Sequence, residues 1–244
     1  MSKRTSYFLS ILFFIAFAVF VALRQRQPFN VNAYDGYGSM IFSGFLRTIL
    51  VSFIIMFGSM ITGFLLFLMS KSKIRFFKAF DGVLTEIIYG TPLLVIIIIM
   101  AFVIGPAFNT TNRIVMGITG IIVYITPYMK NIFKSSFSSI PKEQYQAMDL
   151  FGFTPFQSYR FIIVPQVIRI LMPPLMNNFS LIIKGSALLH VISYGELFHS
   201  TSVMTSRTFA FVEGYLLMWA LYIIITIPLS QFTRLFERRW GLQQ

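Results

Sequence analysis

Lys184 sits near the middle of the apolar run Met172–Ile192, with Gly185 and Ser186 beside it and Asn177 and Asn178 two turns earlier. An ionisable group in hydrocarbon costs about 2.5–3.5 kcal/mol on insertion scales, so such a residue faces protein or a water-filled cavity and is a candidate for holding a polar solute. A snorkelling or purely structural lysine is the competing reading, and the asparagines equally suit interhelical hydrogen bonds. Glu86 lies one turn into another apolar run and is followed by Tyr89-Gly90-Thr91-Pro92. Glycine and proline at that depth loosen a helix and free backbone groups that a cavity or a neighbouring helix must satisfy, which marks a transport path or a packing kink.

Covalent chemistry finds few carriers. His190 and His199 are nine residues apart, which excludes an HExxH zinc helix, and each reads as an ordinary residue near the outer end of its span. There is no Gly-x-Ser-x-Gly elbow, no pair of carboxylates within one turn inside an apolar run, and no GxxxxGK[ST] phosphate loop. Any energised work therefore draws on another subunit. An intramembrane enzyme would need a nucleophile–base pair or a metal set, and neither is present. An ion-coupled or passive carrier or channel is the alternative class, but paired inverted halves and a filter-like loop are missing.

The elements that position these residues are membrane spans. Hydrophobic residues make up 56% of the 244, charged residues 11%, and there are 29 phenylalanines. A span takes about 20 apolar residues, and the candidates are Tyr7–Leu23, Phe45–Met69, Val83–Gly105, Ile114–Tyr128, Met172–Ile192 and Phe209–Phe232. The absence of cysteine excludes a disulfide scaffold or a thiolate metal site. The net charge of +12 is an orientation signal and not a nucleic-acid footprint. With the amino terminus inside, Lys71, Lys73, Arg75, Lys78, Lys130, Lys134, Lys142, Arg160 and Arg169 join both basic termini on the cytoplasmic side, leaving Arg24, Arg26, Arg47, Arg113 and Arg207 outside or at the outer border. A multi-pass protein of the cell membrane follows, with both termini cytoplasmic. Ala16-Phe17-Ala18 resembles a signal-peptide cleavage triplet but lies inside its apolar run, so residues 1–40 are expected to be an uncleaved anchor span plus an outer loop, and 41–244 a single membrane domain.

One polar island interrupts the pattern: Ser139–Pro165, SIPKEQYQAMDLFGFTPFQSYRFIIVP. Ser139 and Pro141 are expected to open a first helix with Glu143 in its first turn, and Gly152 to supply a left-handed stop. Thr154-Pro155-Phe156-Gln157 spells a capping box with proline at the first helical position, and Pro165 is expected to close the unit. Tyr145, Met148 and Phe151 recur at helical spacing, forming an apolar face for something to dock on.

Three segments together resemble the permease subunit of binding-protein-dependent ABC importers for polar amino acids. Glu86 to Val95, EIIYGTPLLV, resembles that family's E-x-x-R-G-T-P-L-L-V-Q. The island, continuing through Val164-Pro165-Gln166 and Leu171 to Asn177, resembles its S-I-P-K-G-Q-x-E-A-A-x-x-L-G-L-S loop. Ile183-Lys184-Gly185-Ser186-Ala187-Leu188, with Val191-Ile192 and Gly195-Glu196-Leu197, is similar to its L-K-D-T-S-L…V-I-G-x-x-E-L, and Glu237-Arg238-Arg239 to a common ending.

The resemblance implies an all-α type I importer permease fold with five core spans plus one extra amino-terminal span. It implies that the 139–165 hairpin is a coupling helix, with Pro141, Glu143, Tyr145, Gln146, Ala147, Met148 and Gly152 at the contact and Tyr145, Met148 and Phe151 entering a groove on an ATPase subunit. The implied partners are two ATPases that carry the ATP and magnesium, a second permease subunit, an external substrate-binding protein and a small polar amino acid as cargo. No cofactor, metal or nucleic acid is expected on this chain. Substrate candidates are Glu86, Tyr89, Thr91, Asn177, Lys184 and Ser186. Glu196 is an outer-gate candidate, with a docking surface for the binding protein or a plain loop carboxylate as its other readings. Tyr89, Ile96 and Gly185 stand where the family has arginine, glutamine and aspartate, and Gln146 where it has glutamate. These losses favour a heterodimer whose other permease carries more of the substrate site, with a homodimer as the alternative.

Overall fold

The structure is a computed structural model that describes residues 3–25 and 29–239, all helix or connecting segment with no strand among them; Arg26, expected on the outer side, falls outside the described residues. Helix α1 (Lys3–Arg24) has every described side chain from Thr5 to Val21 exposed. A single 3₁₀ turn, Val31–Tyr34, leads into α2 (Gly38–Lys71), and the connection is tied down where Asn30 N–H donates to Glu213 Oε1 at 2.6 Å and Tyr34 Oη donates to Glu213 O at 3.1 Å. Then come α3 (Arg75–Tyr89), α4 (Leu93–Ala107), α5 (Arg113–Ser138), α6 (Lys142–Leu150), α7 (Pro155–Ile192), α8 (Leu197–Thr208) and α9 (Phe211–Arg239).

The core lies where α2, α4, α5 and α7 meet: Val51, Ile55 and Phe67 pack with Ile97, Ile121, Met129, Phe133, Leu175, Ile182 and Leu189. Small residues bring α2 close to its neighbours. A Cβ on Gly63 would collide with Met129 of α5, and one on Gly44 with Ser200 of α8, so these crossings require glycine. Hydroxyls along α2 fold back on their own helix, as Thr48 Oγ1 does to Gly44 O and Ser52 Oγ to Thr48 O, which satisfies them without water.

The expected span Val83–Gly105 is not one helix. It breaks at Gly90-Thr91-Pro92, and α3 and α4 meet at 109°. Pro92 has no N–H to continue the ladder and forces the residue before it out of helical geometry, while Gly90 N–H still closes on Glu86 O at 2.9 Å. Each half has 15 residues, about 22 Å of helix, short of a 30 Å hydrocarbon core. Among the described residues, three helices are long and apolar enough to cross a membrane (Gly38–Lys71, Pro155–Ile192 and Phe211–Glu237), and the bent pair makes up to four, against the six runs expected from sequence.

Two further boundaries differ. The expected Ile114–Tyr128 run is part of a helix that starts under an Asn112 cap, Val115 N–H to Oδ1 at 3.1 Å, and continues to Ser138. Within its charged tail, Lys130 is paired inside the protein. Pro165 does not close the polar island. It lies within α7, which is continuous from Pro155 to Ile192 through a π turn at Ser158–Ile163 and ends in a 3₁₀ stretch, Ser186–Ile192.

Candidate functional site

The hairpin forms as its caps dictate. Pro141 precedes α6, Gly152 adopts φ +72°, and Thr154 and Gln157 make both halves of a capping box at the start of α7. Ser139, expected to open α6, instead closes α5, its Oγ donating to Ser135 O at 2.9 Å. Tyr145 and Met148 do not project outward. Met148 is 4% exposed and packs with Ile140, Ile163 and Val167, and Tyr145 leans on the same cluster. The physical reason is the return of the chain: α7 passes beneath α6 and supplies Ile163 and Val167, which would otherwise lie bare. Gln144 Nε2 donates to Gln166 Oε1 at 3.2 Å and latches the two helices. What faces away is Leu150, Phe151 and Phe156, at 88%, 81% and 72% exposure, with Lys142, Glu143 and Gln146 also exposed.

A second feature lies between α7 and α9. An open-sided cavity of about 320 Å³ is lined by Met176, Asn177, Ser180, Leu181 and Lys184 of α7 and by Ser230 and Thr233 of α9. Asn177 and Lys184, seven residues apart, fall on one helix face, whereas Asn178 is turned into the core at 7% exposure. The lining combines one cation, one amide and hydroxyls with apolar walls, a set able to hold a small zwitterion. Ser180, Ser230 and Thr233 were missed from sequence. Their spacing on the Lys184 face was a usable signal on α7, but nothing local marked α9 as the opposite wall.

The other substrate candidates do not join this cavity. Ser186 is wholly buried and its Oγ donates to Ile183 O at 2.8 Å. Thr91 Oγ1 donates to Ile87 O at 2.7 Å, Tyr89 Oη accepts from Asn131 Nδ2 at 2.7 Å, and Glu86 is exposed on α3. The α4 start still comes near: a Cβ on Gly185 would sit 3.5 Å from Leu93 Cδ2. Sequence reasoning also missed Asp81, whose Oδ1 receives Lys130 Nζ at 2.6 Å, with Thr85 Oγ1 2.8 Å from the same ammonium.

Glu196 is fully buried, which removes the reading of a docking surface for an external protein. It caps α8: His199 N–H donates to Oε1 at 2.7 Å, and Phe198 N–H and Tyr222 Oη donate to Oε2 at 2.8 and 3.1 Å. Next to it, Leu197 N–H donates to Thr48 Oγ1 at 3.0 Å, so α2, α8 and α9 meet here. Burial pushes the carboxyl up to about 7, against the opposing pull of the Phe198, His199 and Tyr222 hydrogen bonds. A raised native value means that, between about 4.5 and about 7, the folded chain holds a proton the unfolded chain has lost, so stability falls as pH rises through that window. We expect the detergent-solubilised chain to lose stability across it by an increment on the order of 3 kcal/mol, read as a falling melting temperature, that Glu196→Gln lacks. Parallel pH profiles for both proteins would refute the assignment.

The sequence matches, over residues 68–241, the family described as "Binding-protein-dependent transport system inner membrane component". It is 28% identical over 210 residues to the probable glutamine ABC transporter permease protein GlnM of Bacillus subtilis (strain 168), covering 86% of this chain and 97% of that protein. It is 30% identical over 202 residues to the L-cystine transport system permease protein TcyB of the same organism, covering 80% and 84%. The fold superposes on the crystal structure of an amino acid ABC transporter with histidines at a TM-score of 0.79, with 26% identity and coverage of 87% of this chain and 100% of that one. A chain of the MetNI methionine ABC transporter in an inward-facing conformation superposes at 0.63 with 15% identity, a likeness of fold.

Proposed function

This chain belongs to the family of binding-protein-dependent transport system inner membrane components, as an all-α amino-acid ABC transporter permease, and from that premise we propose that it passes a polar amino acid inward by alternating access driven by partner ATPases. The observation that carries the reading is α7. One continuous helix begins at the exposed Leu150–Phe151–Phe156 knob and ends beyond the cavity holding Asn177 and Lys184. Movement imposed on the hairpin reaches the cavity through that helix.

In this proposal the coupling unit includes Pro141, Glu143, Gln146, Ala147 and Gly152, with Leu150, Phe151 and Phe156 entering the ATPase groove and Tyr145 and Met148 holding the hairpin to α7. Asn177 and Lys184 touch cargo. Glu86, Tyr89, Thr91 and Ser186 shape the path around the α3–α4 break, and Glu196 holds the outer end closed. Residues 1–40 anchor the permease domain, 41–244, and both termini are cytoplasmic. A second permease subunit completes the path. The loss of charged partners at Tyr89 and Gly185, with Lys184 the one cation lining the cavity, favours a different chain there over a second copy. The test is uptake of labelled amino acids by proteoliposomes holding the permease pair and its ATPases, with the external binding protein added. Uptake should require ATP and the binding protein and should fall at least ten-fold in Lys184→Met without loss of assembly. Uptake undiminished by an inactive ATPase overturns the proposal.

A further inference from the structure

We propose that His190 and His199 form a two-imidazole site for a transition-metal dication of zinc-like ligand preference, at the end of the bundle away from the hairpin. His190 lies in the 3₁₀ stretch that ends α7 and His199 in the first turn of α8. Nine residues separate them, but Ser193 takes a left-handed φ of +59° and Tyr194 N–H closes on Leu189 O at 3.2 Å, turning the chain back on itself. The two Nδ1 atoms end 3.2 Å apart, with ring centroids at 5.3 Å and planes at 48°. Two nitrogens on a tetrahedral ion at about 2.0–2.1 Å from each lie about 3.3 Å apart, so the rings already have the separation that chelation requires.

Neighbours constrain both residues. Glu196 Oε1 fixes the backbone of His199, and the Phe198 ring lies 5.1 Å from that of His190. An ion on the two Nδ1 atoms leaves each Nε2 to carry the ring proton, as a ligating imidazole requires. No third histidine, cysteine or carboxylate completes a cluster among the described residues, so water fills the remaining positions and the affinity is modest. A bound ion would staple the end of α7 to α8 across Tyr194-Gly195-Glu196. This inference does not depend on the transport reading.

The competing arrangement is a single N–H···N hydrogen bond between neutral rings, and the experiment separates the two. The full chain, purified in detergent with an affinity tag free of histidine, is titrated with zinc chloride against a fluorescent zinc indicator at neutral pH. One saturable zinc per chain is expected, at least ten-fold weaker in His190→Asn and in His199→Asn. Because either variant could fold poorly, X-ray absorption at the zinc edge of the wild-type complex gives a second readout, and two imidazole nitrogens are expected. Absence of saturable binding, binding retained in both variants, or a shell of oxygens alone overturns the proposal.

Discussion

Replacing Leu150 and Phe151 together with aspartate is expected to abolish co-purification of the ATPase while leaving the chain folded and in the membrane. Both side chains are almost wholly exposed here, so their loss removes little from the chain's own packing. Apolar anchors of this kind at the centre of an interface are worth about 2–4 kcal/mol when removed, roughly a thirty-fold to a thousand-fold loss of affinity, and a buried carboxylate adds to the loss. The inward-facing pair responds differently. Met148→Ala empties a packed site and appears as a loss of chain stability of about 2–5 kcal/mol, not as a selective loss of the partner. Gly152→Pro also breaks association, but by another route. Proline cannot reach φ +72°, and the bond from Gly152 N–H to Asp149 O is lost, so the turn itself is remade. Unchanged ATPase recovery with the double aspartate variant would exclude this knob as the docking element.

The second large effect is expected at the Asp81–Lys130 pair. Lys130 is 7% exposed, and its ammonium meets Asp81 Oδ1 and Thr85 Oγ1 on α3. Removing one partner strands the other charge in a nearly dry site, which costs about 3–5 kcal/mol, whereas replacing both with apolar residues of similar size is close to neutral. Lys130→Met and Asp81→Asn should each lower the melting temperature of the solubilised chain markedly, and Asp81→Leu combined with Lys130→Met should recover most of it. Single variants that melt like the wild type would show that α3 is held without this ion pair. The pair matters because α3 is short and turns sharply away from α4, so its position against α5 rests on a few polar ties, this pair and the Asn131–Tyr89 hydrogen bond.

What the sequence revealed was local. The capping box at Thr154 and Gln157 and the left-handed Gly152 are set by residues within three positions of one another, and both are present as read. The glycine–threonine–proline weakness was visible, but the 109° turn was not, since it depends on what α3 packs against. Tyr145 and Met148 marked an apolar face correctly, yet an amphipathic pattern does not say whether the chain's own return or a foreign surface covers it. Phe151 was read with that face but lies outward with Leu150 and Phe156, and those two were the unread sign of a second face. Lys130 looked like a loop charge because its partner is 49 residues away. Asn177 and Asn178 were indistinguishable in sequence, and the 100° between successive helical positions sends one to the cavity and the other to the core.

The uninterrupted course of α7 makes the angle between the hairpin and Lys184 a matter of residue counting. Past the π turn, each residue added or removed between Val164 and Lys184 would swing the ammonium by about 100° and displace it by about 1.5 Å along the axis. One extra residue would therefore turn it away from α9 altogether, although every side chain in the cavity and every side chain on the hairpin stayed the same. In this stretch length is itself part of the machinery, as the pitch of a screw is.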